Sequence, residues 1–174
     1  TDSTNQYVKA APLVKKMLNY GAEAQIYFDY NTDNLANDTE HMTEEEKVTE
    51  LYGFAGAGFT LEGEEAGVTY YGSTLALKSE LAIKHYFVID ESVDVNSLEI
   101  VCDYPVTLAK NGSLYELKIS DIPAHQIATD ITVQIGSINF TYSIASYGAI
   151  AQSNGNTALW TIVSALAAYS FEAI

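Results

Sequence analysis

The residues best spaced to do chemistry lie between Asp29 and Glu40. Side-chain oxygens fall at the first, third, fifth, ninth and twelfth positions of this stretch, at Asp29, Asn31, Asp33, Asn37 and Glu40. A calcium-binding EF-hand loop uses this spacing, which predicts calcium ligands at Asp29, Asn31, Asp33 and Glu40. Asn34 replaces the usual glycine of the sharp turn, but asparagine tolerates the left-handed conformation. The alternative is an asparagine-rich helix exit whose side chains cap their own backbone.

The thirteen tyrosines are the second group of candidate residues. Tyr70 and Tyr71 are adjacent in a predicted strand, so they must point to opposite faces of its sheet. Tyr104 and Tyr115 lie near predicted turns. Exposed tyrosines near Asp or Asn can stack on a sugar or anchor a protein partner. We therefore predict ligand binding at these four tyrosines, with packing against the sheet as the alternative.

Residue patterns typical of catalysis are lacking. The three histidines (His41, His85 and His125) are not spaced as a metal pair, and His85 is most simply a strand residue. No GxSxG, HExxH, Walker or GxGxxG motif occurs. The glycine-rich stretch 53–59 lacks the following helix and the lysine that phosphate binding needs, and it predicts a bulged strand. The sequence predicts a protein that is not an enzyme and has no cofactor other than the calcium considered above.

Charge limits the classes of partner. The chain has 23 acidic residues against 8 lysines, no arginine, and a net charge of −15. Nucleic acid and anionic membrane surfaces both require basic patches, so neither is an expected partner. No apolar run is long enough to predict membrane insertion. Cys102 is the only cysteine, which excludes a disulfide framework within the chain and a cysteine-based zinc site.

Apolar periodicity predicts helices at both ends of the chain. The first is predicted over Ala11–Phe28, beginning near Pro12 because proline is tolerated only in a first turn. Thr43 and Glu46 form the capping-box pattern of a short helix over Glu44–Leu51. Two further apolar segments separated by the turn residues SNGN predict a C-terminal helical hairpin.

The middle of the chain alternates apolar and polar residues and is rich in β-branched and aromatic types. Asn111-Gly112 and Gly136-Ser137 each separate two alternating runs, which predicts two β-hairpins. We expect six to eight short strands and an α+β fold: an antiparallel β-sandwich-like domain flanked by amphipathic helices. The predicted division is a helix over 1–30, an acidic linker over 31–52, and a β-rich domain with the helical hairpin over 53–174.

The first helix has a weaker copy at the end of the chain. Four of its residues are repeated there in the same order and spacing: Val14, Tyr20, Glu23 and Ala24 correspond to Val163, Tyr169, Glu172 and Ala173. Both segments share an apolar face, which favours an internal repeat. The first helix would then be equivalent to the last helix of a preceding module, and the chain would be a segment of a longer protein.

The segment MLNYGAEAQIYFDYNTDNLAN resembles a recurrent sequence motif of large secreted or wall-attached repeat proteins of anaerobic gut Firmicutes. The later segments FTYSIASYGAIAQ and LWTIVSALAAYSFEA resemble the closing phrase of the same module, although Ala168 and Ser170 replace the usual Asn and Gly. The resemblance implies an extracellular module of a Gram-positive surface protein. The resemblance does not identify any functional residues in this chain.

The function expected from this resemblance is adhesion without catalysis. The ligand would be a host protein, immunoglobulin included, or a glycan. The alternatives are a structural spacer that stacks on neighbouring modules of the same chain, and an accessory domain of a carbohydrate-active enzyme. A flat aromatic groove would favour a glycan, and an exposed apolar stripe on a helix would favour stacking or a protein partner. A Lys–Asn crosslink is chemically available to Lys78, Lys84 or Lys118.

If residues 29–40 form a calcium loop, millimolar calcium should raise the midpoint of thermal unfolding by several degrees, because a ligand of the native state stabilises it. The measurement is a thermal melt with calcium, with EDTA as the control. An unchanged midpoint would contradict the calcium site and favour the self-capping alternative.

Overall fold

The computed structural model describes residues 3–54, 57–77 and 80–174, with side chains from residue 9 onward. The chain divides into two compact units: Thr1–Ala55 together with Gly148–Ile174, and Gly56–Tyr147. The sequence-based division placed the helical hairpin with the strands. The contacts instead group the last helix with the first, because these two helices pack against each other.

The first unit is built on two helices, α1 (Ser3–Tyr27) and α3 (Thr157–Glu172). Between them in sequence, α2 (Ile144–Ser153) crosses the boundary of the two units. The prediction that the first helix begins near Pro12 was wrong, because α1 begins at Ser3 and has Pro12 inside it. Proline removes one intrahelical hydrogen bond, and tertiary packing, which supplies most helix stability, outweighs that local cost.

Local capping fixes the helix ends. Asp29 has a φ of 50°, and the Tyr30 N–H bonds the Gln25 carbonyl at 3.1 Å, which ends α1 in a Schellman-type turn. The predicted helical hairpin is confirmed, and the Asn156 side chain caps α3 by accepting from the Leu159 N–H at 3.2 Å. Ser143 and Ser146 cap α2 reciprocally through two backbone N–H bonds of 3.1 Å.

The capping box at Thr43 and Glu46 is confirmed, but the helix predicted after it is not. The Thr43 N–H bonds the Glu46 carboxylate at 2.9 Å, and the Glu46 N–H bonds the Thr43 hydroxyl at 3.3 Å. The chain makes one turn there and continues without helix to residue 54.

The second unit contains eight strands in two antiparallel sheets. The strands are β1 (Thr60–Glu62), β2 (Val68–Ala76), β3 (Ala82–Ile89), β4 (Ile100–Cys102), β5 (Val106–Asn111), β6 (Leu114–Ile119), β7 (Ile131–Ile135) and β8 (Ile138–Tyr142). One sheet has the order β1-β8-β7-β4 and the other β2-β3-β6-β5. The predicted α+β fold with a sandwich-like pair of antiparallel sheets is therefore confirmed.

Both predicted β-hairpins are present. In β5–β6 the last pair is Asn111 with Leu114, and in β7–β8 it is Ile135 with Ile138, so each loop has two residues. Each loop begins at a glycine with positive φ, 63° at Gly112 and 56° at Gly136, as hairpin turns require. The described residues of the glycine-rich stretch (53, 54 and 57–59) form no strand, and β1 begins just after the stretch, at Thr60. Ala55 and Gly56 lie outside the described residues.

Aromatic side chains join the two sheets. Phe140 of β8 lies 5.9 Å from Phe87 of β3, and Phe59 stacks on Tyr70 of β2 at 4.8 Å, measured between ring centroids. Phe87, Phe140 and Tyr142 are buried, as are the aliphatic residues around them. Burial of this apolar surface is the main force holding the sheets together.

Candidate functional site

In the first unit, amide side chains of α1 hold the acidic segment that follows the helix. Asn19 is buried, and its Nδ2 donates to the Glu46 carbonyl at 2.7 Å. Its Oδ1 accepts from Asn37 Nδ2 at 2.8 Å, and the same Asn37 group donates to the Lys47 carbonyl at 3.3 Å. These bonds hold residues 37, 46 and 47 of the segment together beside Asn19.

Gln25 holds the beginning of the segment. Its Nε2 donates to the carbonyls of Asn31 at 3.0 Å and Asn34 at 2.9 Å, and its Oε1 accepts from the Ala36 N–H at 2.6 Å. The backbone approaches closely here, because a Cβ on Gly21 would stand 3.0 Å from Ala36 Cβ. We call this set of bonds from Asn19, Gln25 and Asn37 the amide clamp.

Lysines add ion pairs around the amide clamp. Lys15 of α1 bonds the Glu46 carboxylate, and this hydrogen bond is the main reason that the pKa of Glu46 is lowered to about 2. Lys47 bonds Asp38 at 2.8 Å and Glu44 at 2.9 Å, which raises the pKa of the lysine. Such exposed pairs contribute little stability individually, so the buried amides are the stronger constraint.

The predicted calcium ligands lie in and beside the amide clamp. Asp29 and Asn31 both have a φ of 50°, and the Asn31 side chain donates to the Asn34 carbonyl at 3.4 Å. Asp33 and Glu40 are exposed. Among the described residues, no group of three or more His, Cys, Asp or Glu side chains is arranged to hold a metal ion. The backbone carbonyls of Asn31 and Asn34 in this loop accept hydrogen bonds from Gln25. Calcium binding stays a prediction, which the thermal melt described above tests.

Between α1 and residues 39–42 lies an open groove of about 310 Å³, which we call the α1 groove. Its lining is mainly apolar: Ala10, Ala11, Val14, Lys15 and Leu18 on α1, with Thr39, His41 and Met42 opposite. Val14 is 43% exposed, and Met17, the next apolar side chain along the helix, is 46% exposed. Thr39 Oγ1 is buried with no hydrogen-bond partner among the described residues.

The predicted ligand-binding tyrosines do not form one surface. Tyr70 and Tyr115 share a row across the second sheet, each paired with Phe87, which is buried. Tyr71 is the additional residue of a β-bulge and is 69% exposed. Tyr104 is half-buried and donates its hydroxyl to Gln126 Oε1 at 2.5 Å. Ligand binding by these tyrosines stays a prediction.

The structure also places the lysines considered for a crosslink, the cysteine and two of the histidines. Lys84 pairs with Glu116 at 3.1 Å, Lys118 pairs with Glu80, and Lys78 lies outside the described residues. Cys102 is half-buried, and burial raises the pKa of its thiol. His41 lies exposed beside Glu40, at 3.5 Å, whereas His85 is fully buried.

The described helices include none that is long and apolar enough to cross a lipid bilayer.

Comparison of the chain with protein-family models, curated proteins and solved structures returned no match. The function is therefore inferred from the contacts and surfaces of this chain. Sequence reasoning missed the amide clamp. The available signal was the pair Asn19 and Gln25, two amides in a helix that is followed by an asparagine-rich loop.

The amide clamp predicts that Gln25→Ala lowers the free energy of unfolding by about 1–3 kcal/mol, because two carbonyls and one N–H lose their partner. Urea unfolding measures the change. Gln152→Ala is the matched control, since the side chain of this half-buried helical glutamine makes one hydrogen bond with the described residues, accepting from the Phe54 N–H at 3.4 Å. Equal effects of the two substitutions would contradict the clamp.

Proposed function

We propose that this chain is a non-catalytic, extracellular module of a bacterial surface protein and that it binds a protein partner through the α1 groove. The observation that carries the proposal is the exposed apolar stripe formed by Val14 and Met17 beside an open groove. Exposed apolar grooves on a folded protein mark sites of interaction. The extracellular location follows from the sequence resemblance.

The chemistry of the groove favours a protein over a glycan. Sugars are held by aromatic rings with polar groups at their edges, and the groove lining includes no Phe, Tyr or Trp among the side chains that the structure describes, which begin at residue 9. A groove of about 310 Å³ has room for one or two apolar side chains, which are the usual anchors of protein interfaces.

One feature of the first unit supports a non-catalytic role. The polar side chains of the first unit are used on each other: Asn19, Gln25 and Asn37 bond the backbone or one another, and Lys15 and Lys47 bond carboxylates. In the α1 groove, Lys15 is paired with Glu46, and His41 is exposed and lies 3.5 Å from Glu40. No group of metal-holding side chains accompanies this histidine among the described residues.

A structural spacer is the second candidate, and one observation favours it. The helices α1 and α3 share three residues at matching positions, with a fourth match at Ala173 directly after α3, and they pack against each other within this chain. A neighbouring module with a helix of the same type could use the same packing. In this candidate, the occupant of the α1 groove is a neighbouring module and not a host protein.

The proposal predicts that Val14→Glu weakens binding to a protein partner at least tenfold, because it places a charge in the apolar part of the groove. Binding is measured by surface plasmon resonance against purified immunoglobulins and mucin oligosaccharides, and self-association is measured by sedimentation equilibrium. Val48→Glu is the matched control, since Val48 is 69% exposed, lies in the same unit and is not part of the groove.

Self-association that Val14→Glu weakens and Val48→Glu does not would favour the spacer over the host ligand. Binding that both variants retain, or binding to oligosaccharides alone, would contradict a protein-docking groove.

A further inference from the structure

His85 occupies an unusual place for a histidine. It lies on β3 and is fully buried between the two sheets. Its ring centroid is 4.7 Å from that of Phe140 and 5.1 Å from that of Tyr142, both in edge-to-face contacts. Nδ1 is 3.3 Å from the Tyr70 hydroxyl, and Nε2 has no hydrogen-bond partner among the described residues.

The groups that face the ring are neutral on every strand around it. On β2 these groups are Tyr70 and Ser73, and Ser73 is the residue paired with His85 in the sheet. On β6 the residue paired with His85 is Leu117. On β8 they are Phe140 and Tyr142, whose hydroxyl accepts from Ser73 Oγ at 3.0 Å. Burial raises the pKa of the Tyr142 hydroxyl, so this group stays protonated and offers no negative charge.

Charged groups of the same sheet lie on its other face. Lys84 and Tyr86 flank His85 in sequence, and successive strand residues point to opposite faces. Lys84 pairs with Glu116 there, and the Tyr86 hydroxyl donates to Glu116 at 3.2 Å. No carboxylate in the described part of the chain forms a salt bridge with the His85 ring.

An imidazolium at this position would be a buried charge without a counter-ion, and its Nε2–H would have no acceptor. Both conditions are costly in a protein interior. Neutral imidazole fits better, because it carries no charge and because Nδ1–H can donate to the Tyr70 oxygen while the unpartnered Nε2 carries no proton. Burial accordingly lowers the pKa of His85 to about 3.

We propose that His85 makes the sheet unit acid-sensitive: its imidazole accepts a proton once the two sheets separate, so mildly acidic pH shifts the equilibrium towards the opened unit. Opening exposes the aromatic surface that joins the sheets. This inference concerns the second unit alone and is independent of the α1 groove.

The direction follows from proton binding. The unfolded chain binds a proton at His85 near the ordinary pKa of about 6.5, whereas the folded unit binds it only near pH 3. Between these values the unfolded state holds more protons, so stability is complete above about pH 6.5 and falls as the pH decreases towards 3. For this single group the ratio of folded to unfolded protein should fall roughly 25-fold between pH 7 and pH 5.

The test compares the natural chain with His85→Leu from pH 7 to pH 5, by amide hydrogen exchange of strands β3 and β8. The natural chain should lose roughly 25-fold more protection than the variant over this range. His125→Leu is the control, since His125 is an exposed histidine of the same unit, and it should behave like the natural chain. Equal pH dependence in the natural chain and His85→Leu would overturn the proposal.

A measurement on the natural chain keeps the proposal testable if His85→Leu does not fold. The carbon-bound ring proton of His85, followed by NMR, should keep the chemical shift of neutral imidazole down to pH 5 while the unit is folded. A titration midpoint above pH 5 in the folded state would overturn the proposal, because the folded unit would then accept the proton.

Discussion

The first unit depends on a small number of buried amide hydrogen bonds. Asn19 and Gln25 project from α1 and satisfy backbone groups of a segment that has few apolar side chains of its own. Unsatisfied buried polar groups are costly, so these bonds favour one conformation of the segment over others. The segment in turn places Met42 and Thr39 opposite α1 and forms the second wall of the α1 groove. The groove therefore depends on an interaction that is entirely internal.

The second unit follows a different principle, because its sheets are joined by aromatic rings. His85 is the polar residue within this aromatic cluster that can change its charge. Its neighbours provide one hydrogen bond and no compensating charge. The same low-polarity surroundings that stabilise the sandwich make it intolerant of a proton. Stability at neutral pH and sensitivity to acid thus have one physical origin.

Local chemistry accounts for the parts of the fold that the sequence predicted. The hairpins at Gly112 and Gly136 and the cap at Asn156 depend on residues within a few positions of each other. The failures involve long-range contacts. The capping box at Thr43 forms, but the carbonyls of Glu46 and Lys47 accept from Asn19 and Asn37 and not from a following helical turn. The α1 groove was not predicted, because its second wall exists only once the segment has folded back on α1.

The central claim is that amide side chains of α1 fix the acidic segment and so create the groove wall. The Ala36 N–H tests it most directly, because its partner is the side chain of Gln25, at 2.6 Å. Hydrogen exchange of this amide in the natural chain should be slowed to the level of the α1 backbone, since release requires opening of the clamp. Exchange at the rate of an unstructured peptide would contradict the account.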